Sequence, residues 1–133
     1  MLYVLDACSI IAFLKAEPGG DAVKNLLEQS LTDSRIDLLM HRLNLLEVYY
    51  GFYREDDKEK AVEIYEKIKA LPITFHSDIS EELLLESGRL KATYSISLAD
   101  SIALGFAKLH GAHLVTSDHH EFDILDRDRK SVV

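Results

Sequence analysis

Short apolar runs alternate with longer segments of helical periodicity along the whole chain. Runs with the length and aliphatic character of buried strands lie at 2–5, 37–40, 73–75 and 113–116. Apolar spacing and capping residues predict helices at 9–16, 21–31, 43–54, 59–70, from Asp78 or Ser80 to about 94, and at 98–110. Strands that alternate with helices favour a parallel sheet with helices on both faces. The sequence therefore predicts a three-layer α/β/α fold with a central, mainly parallel sheet.

Length and composition favour a single domain, residues 1–133, because no glycine- or serine-rich linker divides the chain. No apolar stretch approaches the roughly 18 to 20 residues of a membrane helix. The N-terminus also lacks the pattern of a secretory signal. The single cysteine, Cys8, excludes an internal disulfide and is expected to be a small buried apolar residue. We therefore expect a cytoplasmic protein without membrane contact.

The net charge of −8 restricts the partners that the chain can bind. Broad, non-specific capture of nucleic acid usually requires a basic face, which an acidic composition disfavours. An acidic site that holds cations is a different case, because a bound metal ion inverts the local electrostatics. The net charge alone therefore does not exclude an enzyme that acts on nucleic acid.

Two of the predicted strands are followed by aspartate. Asp6 comes directly after the run 2–5, and Asp118 comes after the run 113–116 and Ser117. Ligands of parallel α/β sheets bind beyond the carboxyl ends of the strands, so these carboxylates predict one acidic site assembled by the fold. The alternatives are structural: Asp6 as a helix cap, and Asp118 as part of a turn.

The helix predicted at 43–54 has a narrow polar stripe between two apolar faces. One apolar face contains Leu45, Val48, Tyr49 and Phe52, and the other contains Leu43, Leu46, Tyr50 and Tyr53. The stripe consists of Asn44, Glu47, Gly51 and Arg54. Since a surface helix would have a broad polar face, Glu47 is expected on a helix that is buried on most sides. The alternative is a solvated Glu47 that forms an ion pair with Arg54.

Asp100 is unusual in the helix predicted at 98–110, because it shares a face with Ala103, Leu104 and Ala107. A largely buried carboxylate needs a cation nearby or a raised pKa. The alternative is an acid in the first turn that the helix dipole stabilises. Together with the three acids described above, Asp100 indicates a Mg²⁺ or Mn²⁺ site. Such hard cations prefer oxygen ligands, and a cation offsets the repulsion between carboxylates.

The sequence resembles a known family, the PIN-domain ribonucleases, and within it the VapC-like toxins of type II toxin–antitoxin systems. The resemblance covers nearly the whole chain. It depends on Leu5-Asp6-Ala7, Asn44-Leu45-Leu46-Glu47-Val48, Ser97-Leu98-Ala99-Asp100-Ser101, Leu114-Val115-Thr116-Ser117-Asp118 and Phe122. Each motif is weak by itself, but their order and spacing make the set specific.

The resemblance implies a quartet of acids that is catalytic and binds the metal. The four acids are Asp6, Glu47, Asp100 and Asp118. Supporting polar side chains would come from Asn44, Thr116, Ser117 and Ser9. Many relatives have serine or asparagine two residues after the first aspartate. This chain has Cys8 there, and Ser9 is the candidate substitute.

The activity that the resemblance implies is that of a Mg²⁺- or Mn²⁺-dependent endoribonuclease acting on single-stranded or loop RNA. Asp6 and Asp100 would be the direct metal ligands, and Arg54 is the best candidate to contact the RNA backbone. The resemblance also implies a homodimer and a cognate antitoxin protein. Expected interface residues are Tyr50 and Tyr53, and expected core residues are Tyr49 and Phe52.

Two other functions stay open on the sequence alone. The first is a catalytically silent PIN-like binding module, whose acids only hold a basic partner. The second is a phospho-receiver signalling domain that binds Mg²⁺. It is less favoured, because one acid rather than a pair follows the first strand and the last strand ends in Thr116-Ser117-Asp118 with no lysine. The histidines are assigned no role: His41, His76, His110, His119 and His120.

Overall fold

The computed structural model describes residues 1–117, so Asp118 and the residues after it lie outside the described part. The strands are β1 (Leu2–Leu5), β2 (Asp37–His41), β3 (Thr74–His76) and β4 (His113–Val115). The helices are α1 (Ala7–Leu14), α2 (Gly20–Thr32), α3 (Arg42–Glu55), α4 (Lys58–Lys69), α5 (Glu81–Thr93) and α6 (Leu98–His110). Every predicted strand and helix is present, with small shifts at the ends. None of the helices within residues 1–117 is long and apolar enough to cross a membrane.

The strands form one sheet in the order β3-β2-β1-β4. Within it, β1 is paired on both sides, with Val4 in register with Leu39 of β2 and Leu114 of β4. These pairings and that of β2 with β3 are parallel, which confirms the predicted sheet. The residue that follows β1 therefore lies at the carboxyl edge of an interior strand.

Each face of the sheet has its own apolar core, because successive residues of a strand point to opposite faces. Leu5 of β1 packs in a cluster with buried residues of α1, α2, α3 and α4. Val4 packs in a second cluster with buried residues of α5 and α6. Helices thus cover both faces, and the predicted three-layer α/β/α architecture is confirmed.

Serine and glycine set the ends of the helices on the second face. The Ser97 hydroxyl accepts a hydrogen bond from the backbone N–H of Asp100 at 3.1 Å, and Ser80 caps α5 in the same way. Gly111 ends α6 in the left-handed conformation, with φ of 61°. These contacts confirm the predicted caps and select Ser80 over Asp78. The Ser97 cap also fixes Asp100 in the first turn of α6.

His41 has a structural role that the sequence analysis did not assign. Its imidazole is buried at the junction of β2 and α3. Nδ1 accepts a hydrogen bond from the backbone N–H of Leu43 at 3.1 Å, and Nε2 lies 2.9 Å from the backbone oxygen of Asp78. With Nδ1 as acceptor, Nε2 carries the proton and donates. His41 therefore caps the helix that carries Glu47 and ties it to the segment before α5.

A glycine allows α6 to approach α5 closely. A Cβ atom on Gly105 would lie 2.7 Å from Oγ of Ser87, closer than two such atoms can stay without movement. The Ser87 hydroxyl is itself buried without a hydrogen-bond partner among the described residues. The packing of α6 against α5 therefore requires that residue 105 has no Cβ atom, which only glycine provides.

Alanine substitutions at two helical glycines are expected to act in opposite directions. Gly105→Ala should lower the free energy of unfolding by about 1 to 3 kcal/mol through overpacking. Gly88→Ala, whose Cβ would meet nothing within 4 Å, should raise it by up to about 1 kcal/mol. Adding Ser87→Ala to Gly105→Ala should recover part of the loss. Urea unfolding of the four proteins measures these differences, and equal effects at both glycines would contradict the packing account.

Candidate metal centre

Asp6 lies at the carboxyl end of the central strand and uses one carboxylate oxygen to cap α1. Its backbone is extended, and Oδ1 accepts a hydrogen bond from the backbone N–H of Ser9 at 2.8 Å. The cap makes α1 begin at Ala7 rather than near Ser9 as predicted. Oδ2 is buried and has no hydrogen-bond partner among the described residues. Oδ1 of Asp6 therefore has the structural role of a helix cap, while Oδ2 remains available to a ligand.

Burial raises the pKa of the Asp6 carboxyl from 3.8 to about 7. The Thr116 hydroxyl and the Ser9 backbone N–H act in the other direction, and the charge of Asp100 raises the pKa further. The loss of hydration therefore outweighs the hydrogen bonds that favour the ionised form. A cation beside Oδ2 would reverse that balance, because it favours the charged carboxylate.

Asp100 connects the acids of the two neighbouring helices. It is buried in the first turn of α6, below the Ser97 cap. Its charge raises the pKa of Asp6 and also that of Glu47 on α3. Asp100 thus acts electrostatically on two acids that are far from it in sequence, Asp6 and Glu47.

Glu47 lies half-buried on α3. Burial raises the pKa of its carboxyl, and the charge of Asp100 adds to the effect. Its Oε2 is buried without a hydrogen-bond partner among the described residues. No ion pair within residues 1–117 joins it to Arg54, whose guanidinium lies 5.4 Å from the centre of the Tyr50 ring. The alternative of a solvated Glu47–Arg54 pair is therefore wrong.

Asn44 lies one turn before Glu47 and is fully buried. Neither its side-chain oxygen nor its side-chain nitrogen has a hydrogen-bond partner among the described residues. Leaving such a group unsatisfied costs about 1 to 3 kcal/mol in a folded protein. A buried amide beside a buried acid is consistent with the supporting position expected from the sequence.

The other predicted supporting residues lie around the first helix. The buried Ser9 hydroxyl donates to the backbone carbonyl of Asp6 at 2.9 Å, and Thr116 is buried beside the Asp6 carboxylate. Ser117 donates its hydroxyl to the backbone carbonyl of Cys8 at 3.1 Å. Cys8 is only partly buried, so the expectation of a buried residue was wrong. The fourth acid, Asp118, lies outside the described residues.

The two apolar faces of α3 have different environments. Phe52 is buried, and Tyr49 packs half-buried against the core, as predicted. Leu46, Tyr50 and Tyr53 on the second face are exposed, with 52%, 45% and 48% of their surface accessible. The expectation that α3 is buried on most sides was therefore wrong. Glu47 lies near Asp100, whose charge acts on it.

Two clefts lie near the candidate site, one lined by Glu47 and the other by Ser9 and Thr116, which contact Asp6. One, of about 220 Å³, is lined by Leu43, Leu46, Glu47, Tyr50, Ser97, Leu98 and Ala99. The other, of about 260 Å³, is lined by Ser9, Pro18, Gly19, Ala22, Val23, Val115, Thr116 and Ser117. A larger cleft of about 410 Å³ between α3 and α4 contains none of the predicted acids.

The donor set fits a hard divalent cation that retains water. Within residues 1–117 no group of three or more His, Cys, Asp or Glu side chains is arranged so that it could hold a metal ion. Mg²⁺ does not need one, because proteins commonly bind it through one or two carboxylates together with water and substrate phosphate. The unpartnered, buried oxygens of Asp6 and Glu47 are suited to such a cation.

The PIN domain family model matches residues 3–128, so the chain belongs to the PIN domain family. No curated protein sequence matches the chain. Among solved structures, it is similar to VapBC-1 from nontypeable Haemophilus influenzae (TM-score 0.73, 20% identity, 98% of this chain and 96% of that chain). It is also similar to promoter-bound VapBC2 from Rickettsia felis (TM-score 0.71, 19% identity, 95% and 94%). A third similar structure is Mycobacterium tuberculosis VapC20, a sarcin–ricin loop cleaving toxin (TM-score 0.68, 12% identity, 93% and 95%). These likenesses show that the chain shares its fold with VapC structures.

The metal-free protein is expected to lose stability as the pH rises towards neutrality. Because the pKa of Asp6 is raised in the folded protein, its contribution to the free energy of unfolding is fully present below about pH 4. That contribution is lost as the pH rises through about 7. Asp6→Asn keeps a capping side chain but cannot ionise. Relative to this variant, the free energy of unfolding of the wild type should fall by at most about 4 kcal/mol between pH 4 and pH 8.

Unfolding in EDTA across this pH range measures the difference. Asp21→Asn, which changes an exposed acid in the first turn of α2, is the matched control and should follow the wild type. Parallel stability curves for wild type and Asp6→Asn would contradict the assignment of a raised pKa to Asp6.

Proposed function

We propose that the protein is a Mg²⁺- or Mn²⁺-dependent endoribonuclease. The observation that supports the proposal is that the charge of Asp100 acts on both Asp6 and Glu47, each of which has a buried oxygen without a hydrogen-bond partner among the described residues. Membership of the PIN domain family, whose resemblance to this chain implies nuclease activity, supports the same conclusion. Membership of this family also argues against a phospho-receiver domain.

Each acid has a proposed role. Asp6 and Asp100 hold the cation directly, Glu47 completes its surroundings or aligns the attacking water, and Asp118 is the fourth acid. When bound, the cation supplies charge neutralisation at the phosphodiester and lowers the pKa of a bound water. The chain's own contribution is orientation: the Ser9 backbone N–H fixes one oxygen of Asp6, so that the other faces the site.

The substrate is proposed to be single-stranded or loop RNA. Unpaired RNA exposes its phosphates and bases to a cleft of this kind, whereas a duplex does not. Arg54 is the proposed contact to the RNA backbone. It is exposed and does not form an ion pair with Glu47, so its charge is not neutralised by the site.

We further propose that the protein is the toxin of a toxin–antitoxin pair, acts in the cytoplasm and forms a homodimer. Similar folds occur in the VapBC structures from Haemophilus influenzae and Rickettsia felis, which supports a cognate antitoxin as partner. The exposed Tyr50 and Tyr53 side chains are available for contacts with other molecules.

Cleavage of RNA by the purified, antitoxin-free protein is expected to require Mg²⁺ or Mn²⁺. Asp6→Asn and Asp100→Asn should each reduce cleavage by at least about 100-fold, because each removes a charge that holds the cation. Asp21→Asn changes an exposed acid in the first turn of α2 and should leave cleavage unchanged. Gel analysis of labelled RNA measures these rates.

Two results would contradict the proposed function. Cleavage that persists in EDTA would exclude a metal-dependent reaction. A protein that binds Mn²⁺ but cleaves no RNA would instead favour the catalytically silent binding module.

A further inference from the structure

An apolar cleft opens directly beside the acidic site, and we name it the Tyr50 cleft. Its lining residues are Leu43, Leu46, Glu47, Tyr50, Ser97, Leu98 and Ala99, and its volume is about 220 Å³. Leu46 and Leu98 are largely exposed at its walls. The cleft thus presents apolar surface to solvent at a place where the neighbouring side chains are acids.

The Tyr50 cleft and the acidic site share a wall. Glu47 lines the cleft and is also one of the candidate site's acids, on which the charge of Asp100 acts. On the opposite side, Ala99 lines the cleft directly before Asp100 in α6. A group bound in the cleft would therefore be the immediate neighbour of a group bound at the acids.

Tyr50 provides an aromatic surface next to a cation. The guanidinium of Arg54, one turn further along α3, lies 5.4 Å from the centre of the Tyr50 ring. Such cation–π contact restricts both side chains and brings a positive charge beside the cleft. An aromatic ring beside a cation is the combination with which proteins hold the bases and phosphates of single-stranded nucleic acid.

The charge of the chain favours stacking as the means of holding RNA. With a net charge of −8, the protein lacks the composition for a broad cationic surface. Stacking of a base on an aromatic ring does not require such a surface. An apolar cleft with one aromatic wall therefore suits a nucleobase better than a phosphate chain.

We propose that the Tyr50 cleft binds the nucleobase of a nucleotide adjacent to the cleaved phosphodiester, by stacking on Tyr50, while Arg54 contacts the neighbouring phosphate. This inference rests on the proposed ribonuclease function, because it takes RNA as the ligand. Tyr50, Leu46 and Leu98 then become residues that position the substrate and influence which base is accepted. An apolar segment of a partner protein is the competing occupant.

Tyr53 is the matched control for Tyr50. The two tyrosines are one turn apart on the same helix face and are similarly exposed, at 48% and 45%, but Tyr53 does not line the cleft. Tyr50→Leu removes the ring and keeps an apolar side chain. Tyr50→Phe keeps the ring, so it should retain the stacking that Tyr50→Leu loses.

The experiment measures binding rather than cleavage. Fluorescence anisotropy in EDTA gives the affinity of the full chain for labelled single-stranded RNA hexamers of A, C, G and U, which stay intact without metal. Tyr50→Leu should weaken the best-bound hexamer about tenfold, while Tyr53→Leu and Tyr50→Phe should bind it as the wild type does. Replacing single nucleotides by abasic ones should identify one position whose base matters in the wild type but no longer matters in Tyr50→Leu.

Three results would overturn the inference. The first is an equal loss of RNA affinity in Tyr50→Leu and Tyr53→Leu, and the second is a loss of affinity for abasic RNA that is the same in the wild type and in Tyr50→Leu. The third is that the wild type binds none of the hexamers. A change of oligomeric state in Tyr50→Leu, measured by light scattering, with unchanged RNA affinity would assign the cleft to a protein partner instead. The outcomes are separable from the proposed function. If Asp100→Asn abolishes cleavage while Tyr50→Leu does not change RNA binding, the proposed nuclease function stands. Only the proposal that the cleft binds a base is then overturned.

Discussion

The buried carboxylate of Asp6 is the constraint on which the rest of the site depends. It follows the interior strand β1, gives one oxygen to the first turn of α1 and leaves the other buried without a partner among the described residues. Folding thus removes this acid from water, no cation of residues 1–117 is paired with it, and its pKa rises to about 7. Such an arrangement is unfavourable for a purely structural residue. It becomes reasonable when a divalent cation is part of the working protein.

The fold could be predicted from the sequence because local signals and long-range packing agree. The aliphatic run 2–5 is β1, and the serines at 80 and 97 cap α5 and α6 as expected. The site acids were also identifiable, since Asp100 interrupts an apolar helix face and Asp6 ends a strand. Parallel topology then brings strand ends together whatever the details of packing. The catalytic roles of these acids stay predictions, and Asp118 lies outside the described residues.

Other features could not be read from the sequence, because they depend on which surfaces meet. Helix α3 was expected to be buried on most sides, yet Leu46 of its second apolar face is exposed beside the candidate site, as is Tyr50, which was predicted at an interface. A helix pattern shows that two faces are apolar but not whether a neighbouring helix covers both. His41 was overlooked for a similar reason: its partner at Asp78 is distant in sequence, and an imidazole cap has no strong local signature. If the proposed function is correct, the exposed apolar residues Leu46 and Tyr50 would contact a base on one side of the site and the acids would act on the phosphate on the other.

The central claim is that Asp6 and Asp100 hold a divalent cation, and Mn²⁺ can be located directly by its anomalous scattering. Crystals soaked in Mn²⁺ near pH 8 should give an anomalous peak at ligand distance from the unpartnered Oδ2 of Asp6 and from the Asp100 carboxylate. The same soak of Asp100→Asn crystals should give a much weaker peak. Absence of a peak beside Asp6 in the wild type at saturating Mn²⁺ would contradict the account, and so would a site elsewhere with the Asp6 oxygen still unpartnered.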